Sequence, residues 1–345
     1  MPLIGASATS EHRSVGQQLR LLDEELPQLV WVAGPGSSWE PTGGHGVGWI
    51  DEENRREEIM SGAPELASRD HGFELYHLSP AIGTEVHGID LSHHLDDETV
   101  AWLYQLLVAR KVIFFRDQPI TQDQHIAFAR RFGDLEVHPF TANDAEHPEI
   151  IHLDNNRDRP PRINVWHSDV TWRIEPSLGS ILRAVDVPEV GGDTLFANME
   201  AAYDKLDEQT RARLDEMVAV HDNEVFLNGM RARGTSEEEI EAQRRKYPPT
   251  KHPVIRTHPE TGRKAIYVNR IFTRTIDGMP DHDAQDLLEE LYRTASDPDI
   301  QCRFRWRKDS FAFWDNRSAQ HFAAADYWPH TRRMERVTIV GDRPR

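Results

Sequence analysis

Cysteine is all but missing. Cys302 is the single one in 345 residues, which excludes an internal disulfide framework and any cysteine-based zinc site and leaves a small core side chain as its reading. An excess of positive charge is missing too. With 58 acidic against 40 basic residues the formal charge is −18, so neither a nucleic acid nor an anionic membrane is the expected main partner, although a local arginine cluster can still hold a small anion. No run approaches the roughly eighteen apolar residues a membrane span needs, and the first turns of sequence carry His12, Arg13, Glu24 and Glu25 instead of a leader pattern. A cytoplasmic location is the expectation. Also absent are the G-x-S-x-G elbow, the H-E-x-x-H helix and the Walker phosphate loop, which removes three enzyme classes.

What is present is enough apolar material for a real core, with nine Trp and thirteen Phe. Residues 1–71 differ in texture from the rest: AGPGSSWEPTGGHGVGW (33–49) is rich in Gly, Pro and Ser, and DEENRREEIMSGAPEL (51–66) is a charged run. This part reads as an N-terminal extension, and residues 72–345 as the main domain. In the domain, 95–111 has the periodicity of a helix followed by a buried strand in KVIFFRD, and Thr121 caps a second helix that Gly133 ends. Short strands then dominate: EIIHL (149–153), SILRAVDV (180–187), HPVIRTH and KAIYVN around PETGR, RFRWR (303–307), FAFWD (311–315) and RVTIVG (336–341). Two further helices are expected near 200–217 and 283–295. Many short strands without a βαβ rhythm predict a mainly β fold with helices, a sandwich or jelly roll.

The chemistry starts at VWHSDVTW (165–172). In an extended segment His167 and Asp169 share a face while Ser168 turns away, so the three cannot form a nucleophilic relay, but the imidazole and carboxylate can share a metal. With one more histidine they make a 2-His-1-carboxylate set suited to non-haem Fe(II). In a chain with eighteen His an isolated HxD is weak evidence. The best third ligand is His321, between the aromatic end of one strand and the basic run that opens the last. Arg332 and Arg336, four apart in that strand, can both face inward, where a guanidinium needs an anion. Thr194 in GGDTLFAN (191–198) adds a hydroxyl at a strand start. Trp166 and Trp172 read as packing.

Taken together and in order, HSD (167–169), GGDT (191–194), WDNRSAQH (314–321) and RRMERVTIVGD (332–342) resemble the taurine dioxygenase family of Fe(II)- and 2-oxoglutarate-dependent dioxygenases. The similarity covers about 75–342. It implies a double-stranded β-helix (jelly roll, cupin-like) core with Fe(II) on His167, Asp169 and His321. It further implies 2-oxoglutarate bound through Arg332 and Thr194, O2 as second cosubstrate, and release of succinate and CO2. A homo-oligomer and a small-molecule anionic substrate are implied as well, with His138 and Arg336 on the anion. With a carboxylate at 169, hydroxylation is implied and not halogenation. The rest of the family's taurine pocket does not carry over, since Thr141, Ile163 and Leu227 stand where those enzymes place an aromatic, an amide and a second aromatic, with Asn164 and Phe226 one step away. SILRAV, FANMEAAY and HDNEVF look closer to the alkylsulfatase members, so an alkyl sulfate or sulfonate is the first substrate expectation and an aryloxyalkanoate or other carboxylate the second. A non-catalytic jelly-roll anion-binding protein and a cupin-type metalloenzyme independent of 2-oxoglutarate are the rivals from other classes.

Overall fold

In a computed structural model of the chain the described residues are 72–141 and 144–345; the expected extension over 1–71 lies outside them. Seven strands form the larger sheet, in the spatial order Glu74–His77, Thr84–His87, Val112–Phe115, Phe311–Asp315, Ser177–Asp186, Arg332–Val340, Ile151–Asn155. All neighbours are antiparallel except Thr84–His87 beside Val112–Phe115. A smaller antiparallel sheet sets Thr194–Asn198 between Gln301–Phe304 and Ala319–Ala323. Strands distant in sequence lie side by side, the expected jelly roll.

Strand alternation sorts the side chains of the larger sheet into two buried layers. Phe114, Leu182, Ala312, Trp314 and Met334 point at Phe196, Phe304 and Ala319 of the smaller sheet and fill the sandwich. Ile113, Phe115, Ile181, Phe311, Phe313 and Val337 point the other way, onto Leu103 and Leu107 of the helix Asp97–Arg110 and Ile126 and Phe128 of the helix Gln122–Arg130. Because both faces are covered, Val112–Phe115 is buried at every position and reads as an unbroken apolar run.

FAFWD is a strand over its full expected length. The last strand begins earlier than 336, at Arg332, so both arginines belong to it and share the inward face with Met334. EIIHL is shifted by two residues to Ile151–Asn155, and RFRWR to Gln301–Phe304, which leaves Trp306 beyond the strand. The cap expectation at Thr121 is met by a reciprocal capping box with Gln124. The single helix near 200–217 is instead two, Met199–Asp204 and Glu208–Asp215, because Asn198 and Asp207 each cap a new start. Two helices, Glu224–Ala232 and Glu237–Lys246, have no counterpart in the periodicity. The second buries only Ile240; three glutamates in its first turn and Arg244, Arg245 and Lys246 in its last complement the helix dipole instead. Among the described residues no helix is long and apolar enough to cross a membrane.

Two buried histidines give the fold a predictable acid limit. Burial pulls His125 down to about 3 and His252 down to about 4. Both are neutral when folded and would bind a proton near pH 6.5 when unfolded, so their contribution is complete above pH 6.5 and is lost as pH falls towards 4. Each adds at most about 1.4 kcal/mol per pH unit to that loss. The thermal midpoint should therefore drop between pH 6.5 and 4.5, and less steeply in His125→Leu; equal slopes for the two proteins would contradict the assignment.

Candidate active site

His167 and His321 are brought together by backbone pairing. Outside any regular strand, His167 forms an isolated bridge with His321 of Ala319–Ala323, exchanging N–H···O=C bonds of 3.1 and 2.8 Å. Their ring centroids stand 4.1 Å apart. Asp169 completes the group: its Oδ1 lies 4.0 Å from Nε2 of each histidine, and the three candidate ligand atoms fall within 4.8 Å of one another. All three side chains are buried. The expectation that Ser168 turns away holds, its hydroxyl donating to the Ala319 carbonyl at 2.8 Å. The segment does not stay extended, however; from Asp169 it enters a turn closed by Arg173 N–H to the Val170 carbonyl at 3.0 Å, with Val170 at φ +48°. A positive φ in a β-branched residue costs on the order of 1–3 kcal/mol and persists only where the surroundings enforce it.

Each candidate ligand is held in the protonation state a cation would require. His167 Nδ1–H donates to the Val165 carbonyl at 2.9 Å, which leaves the Nε2 lone pair directed at Asp169 and His321. Burial lowers His167 and, helped by its neighbour His167, takes His321 down to about 3, so both imidazoles are neutral at pH 7. Burial alone would raise Asp169, but Arg336, the two histidines and Ser180 hold it well below the usual carboxylate range. Ser180 Oγ donates to Oδ2 at 2.8 Å, Arg336 Nη1 donates to Oδ1 at 2.7 Å, and the Asp169 N–H is tied to Asn316 Oδ1 at 3.1 Å. Two neutral imidazoles and one carboxylate are a donor set for a borderline divalent ion, Fe(II) among them.

Arg332 is 5% exposed, and among the described residues it has no carboxylate partner. Its Nε donates to the Gly192 carbonyl at 3.1 Å, and Nη2 is buried without a hydrogen bond. Burial lowers the guanidinium to about 10, with Tyr327 and Asp193 opposing. Trp306 and Tyr327 flank it, their ring centroids 6.0 and 5.8 Å from Cζ. Gly192, at φ +73°, stands at this wall, where a Cβ would sit 3.2 Å from both the Arg332 and Tyr327 side chains, so a larger residue would be strained and tight there. Thr194, 2% exposed, accepts from Trp306 Nε1 at 2.9 Å. A buried guanidinium of this kind calls for an anion that comes with a ligand, and the carboxylate-bearing 2-oxoglutarate fits it.

His138 is buried, not on a surface loop, because aromatic side chains close over it: Phe226 at 5.1 Å between centroids, with Phe140 and Trp172 both at 6.2 Å. Burial, then Arg336 and Arg173, lower it to about 3. Its Nδ1 accepts from the Phe140 N–H at 3.2 Å, so Nε2 carries the proton. Phe140 and Phe226 stack at 5.4 Å, and Val170, Ile271, Phe272 and Tyr247 extend the same apolar wall. Phe226 stands at this wall, Leu227 is fully buried, Ile163 is 39% exposed and Asn164 is exposed, so no amide replaces the one missing at 163. Trp166 packs on Phe322 as expected of a core residue. Ser180, Asn316, Gly192 and Trp306 had no role assigned from the sequence; the only signal for the first three is their place inside SILRAV, WDNRSAQH and GGDT, and Trp306 had none beyond RFRWR.

The chain is similar to known proteins over most of its described length. Residues 74–338 match the family described as "Taurine catabolism dioxygenase TauD, TfdA family". The chain is similar to an alkylsulfatase of Acinetobacter baylyi, 36% identical over 274 residues covering 78% of this chain and 85% of that protein. It is also similar to an alpha-ketoglutarate-dependent sulfate ester dioxygenase of Pseudomonas putida, 35% identical over 286 residues covering 81% and 94%. A crystal structure of a putative alpha-ketoglutarate-dependent taurine dioxygenase from Burkholderia xenovorans superposes with a TM-score of 0.68 at 35% identity, covering 79% of this chain and 94% of that one. With the jelly roll, the histidine pair and the matched length in agreement, the chain belongs to the Taurine catabolism dioxygenase TauD, TfdA family.

Proposed function

We propose that this chain hydroxylates the carbon bearing a sulfate ester or sulfonate, as an Fe(II)- and 2-oxoglutarate-dependent dioxygenase acting on a free small molecule. His167, Asp169 and His321 hold the metal. Arg332 and the Thr194 hydroxyl hold the far carboxylate of 2-oxoglutarate. When bound, Fe(II) with 2-oxoglutarate and O2 supplies the oxidation: 2-oxoglutarate loses CO2 to give succinate, one oxygen atom enters succinate and the other enters the substrate C–H bond. On a sulfate ester the new hydroxyl shares its carbon with the sulfate oxygen, and collapse gives an aldehyde and sulfate. The observation that carries the reading is the buried Arg332, which forms no ion pair among the described residues, in the same sandwich as a His/His/Asp set held neutral, neutral and anionic.

The other residues bind and shield. His138 presents Nε2–H towards an anionic head, next to Arg336, whose Nε has no hydrogen bond while its Nη1 steadies Asp169. The wall of Phe140, Phe226, Trp172 and Phe272 takes an apolar body and keeps water away. The catalytic unit is residues 72–345, with 1–71 as an extension, working in the cytoplasm as a homo-oligomer.

Succinate formation from 2-oxoglutarate with Fe(II) and ascorbate, across alkyl sulfates, alkylsulfonates and aryloxyalkanoates, tests the reading. Turnover on sulfates first is expected, turnover on aryloxyalkanoates alone would change the substrate class, and no succinate with any of them would sink the proposal. His138→Ala removes one hydrogen bond to a charged group, a loss of about 1.5–3 kcal/mol. KM for the sulfate should rise about 10- to 100-fold while KM for 2-oxoglutarate stays unchanged; an equal rise in both would take His138 out of the substrate site.

A further inference from the structure

The left-handed backbone at Val170 stands directly after the metal-facing carboxylate. Of the four non-glycine residues with positive φ among the described residues, Val170 is the only β-branched one. Its side chain is 3% exposed and is committed to the aromatic wall with Trp172, Ile271 and Phe272. Something must hold this turn, and the next residue shows what. Thr171 is completely buried, and its hydroxyl meets two partners from the neighbouring part of the domain: Asn269 Nδ2 donates to it at 3.0 Å, and it lies 3.0 Å from His221 Nδ1. The orientation of Asn269 is unambiguous, since its Oδ1 accepts from the N–H groups of Ile271 and Phe272 at 3.2 and 3.0 Å and the amide must then point its NH2 at Thr171. The hydroxyl thus accepts from Asn269 Nδ2 and shares one further hydrogen bond with His221 Nδ1. Thr273 lies against the same imidazole, its Oγ1 3.4 Å from His221 Nδ1 and accepting from the Asn269 N–H at 2.9 Å.

We propose that the buried Asn269–Thr171–His221 relay is a positioning device: it fixes the turn from Asp169 to Arg173 in the left-handed conformation at Val170, and so aims Asp169 at the two imidazoles and Trp172 at the substrate wall. None of the three side chains belongs to the His167, Asp169 and His321 cluster. The relay ties the turn to Asn269 and to His221 of the strand Val218–His221, outside the two sheets of the sandwich, while from within it Ser180 and Arg336 steady the carboxylate and Asn316 accepts from the Asp169 N–H. Asp169 is thus clamped from both sides of the turn. The inference rests on the reading of His167, Asp169 and His321 as the metal site.

Mn(II) binding to the full chain without 2-oxoglutarate, followed by the loss of the free-ion electron paramagnetic resonance signal, separates this relay from simple packing. Thr171→Val keeps the shape and removes the hydroxyl, and should weaken Mn(II) binding about 10-fold or more, the range seen for outer partners of metal ligands. Thr171→Ser restores the hydroxyl and should stay within about threefold of the parent; if the valine variant does not fold, Thr171→Ala against Thr171→Ser makes the same comparison. Adding Val170→Gly to Thr171→Val should recover at least about threefold, because glycine takes a positive φ without strain and a purely structural defect would not be repaired by it. Parent-level affinity in Thr171→Val, or an equal loss in Thr171→Ser, overturns the relay. His321→Ala is the separate control: if it binds Mn(II) like the parent, the metal-site reading fails and the relay with it, whereas lost binding in His321→Ala beside unchanged Thr171→Val removes the relay alone.

Discussion

Asp169→Ala and His321→Ala should each lower succinate formation by about 10³-fold or more, equivalent to about 4 kcal/mol of the several that a bound metal contributes to a reaction. The two variants should nevertheless differ in stability. Asp169 carries the negative charge opposite Arg336, whose side chain is 13% exposed, and the 2.7 Å bond between them is a buried ion pair. Removing the carboxylate strands that guanidinium, a loss of about 3–5 kcal/mol when one partner of such a pair is deleted. His321 is a neutral ring packed on Trp314 at 4.8 Å and Phe196 at 6.3 Å between centroids, so its deletion leaves a cavity but no orphaned charge. Denaturant melts of metal-free protein should rank Asp169→Ala below His321→Ala, and Asp169→Asn, which keeps a group able to accept from Ser180, above Asp169→Ala. Retention of a tenth of parental turnover by either alanine variant would remove that residue from the metal site.

For Arg332→Met the expected result is loss of cosubstrate binding without loss of stability. A guanidinium buried among Gly192, Trp306 and Tyr327 with no carboxylate partner is a burden on the folded protein until an anion arrives. Methionine fills similar volume without charge, so the melting midpoint should hold or rise, as when other buried ionic groups are replaced by apolar ones. Binding pays in the opposite direction: losing one partner of a buried charge pair with the far carboxylate is worth about 3 kcal/mol, or about 10²-fold in KM for 2-oxoglutarate. The substrate KM, measured at saturating 2-oxoglutarate, should not follow. A variant that lost stability and 2-oxoglutarate affinity together would show Arg332 to be a structural residue paired in some other way.

The His167, Asp169 and His321 cluster and the inward-facing Arg332 were legible because each is a residue type with few alternative uses inside a core, set in ordered blocks on strands whose alternation is a local property. FAFWD as a strand and the shared inward face of Arg332 and Arg336 follow from period-two geometry alone. Other features were not legible. Helix Glu237–Lys246 has one buried side chain, so its periodicity is silent, and the break between Met199–Asp204 and Glu208–Asp215 depends on caps that a long apolar window averages away. The turn after Asp169 has no local signal, since a β-branched residue disfavours a left-handed backbone; its φ of +48° reflects Thr171 being anchored by residues 50 and 98 positions away.

By itself, then, the sequence determined which side chains could bind a cation and an anion, and the class of fold that brings them near one another, since residue chemistry and strand periodicity are local. Only the tertiary structure decided how those groups are tuned. It buried His138 under Phe226 and Phe140, put Arg336 on Asp169, left Arg332 without a carboxylate and locked Val170 left-handed. Burial, charge pairing and backbone strain depend on which distant segments pack together, and no single stretch of chain carries that information.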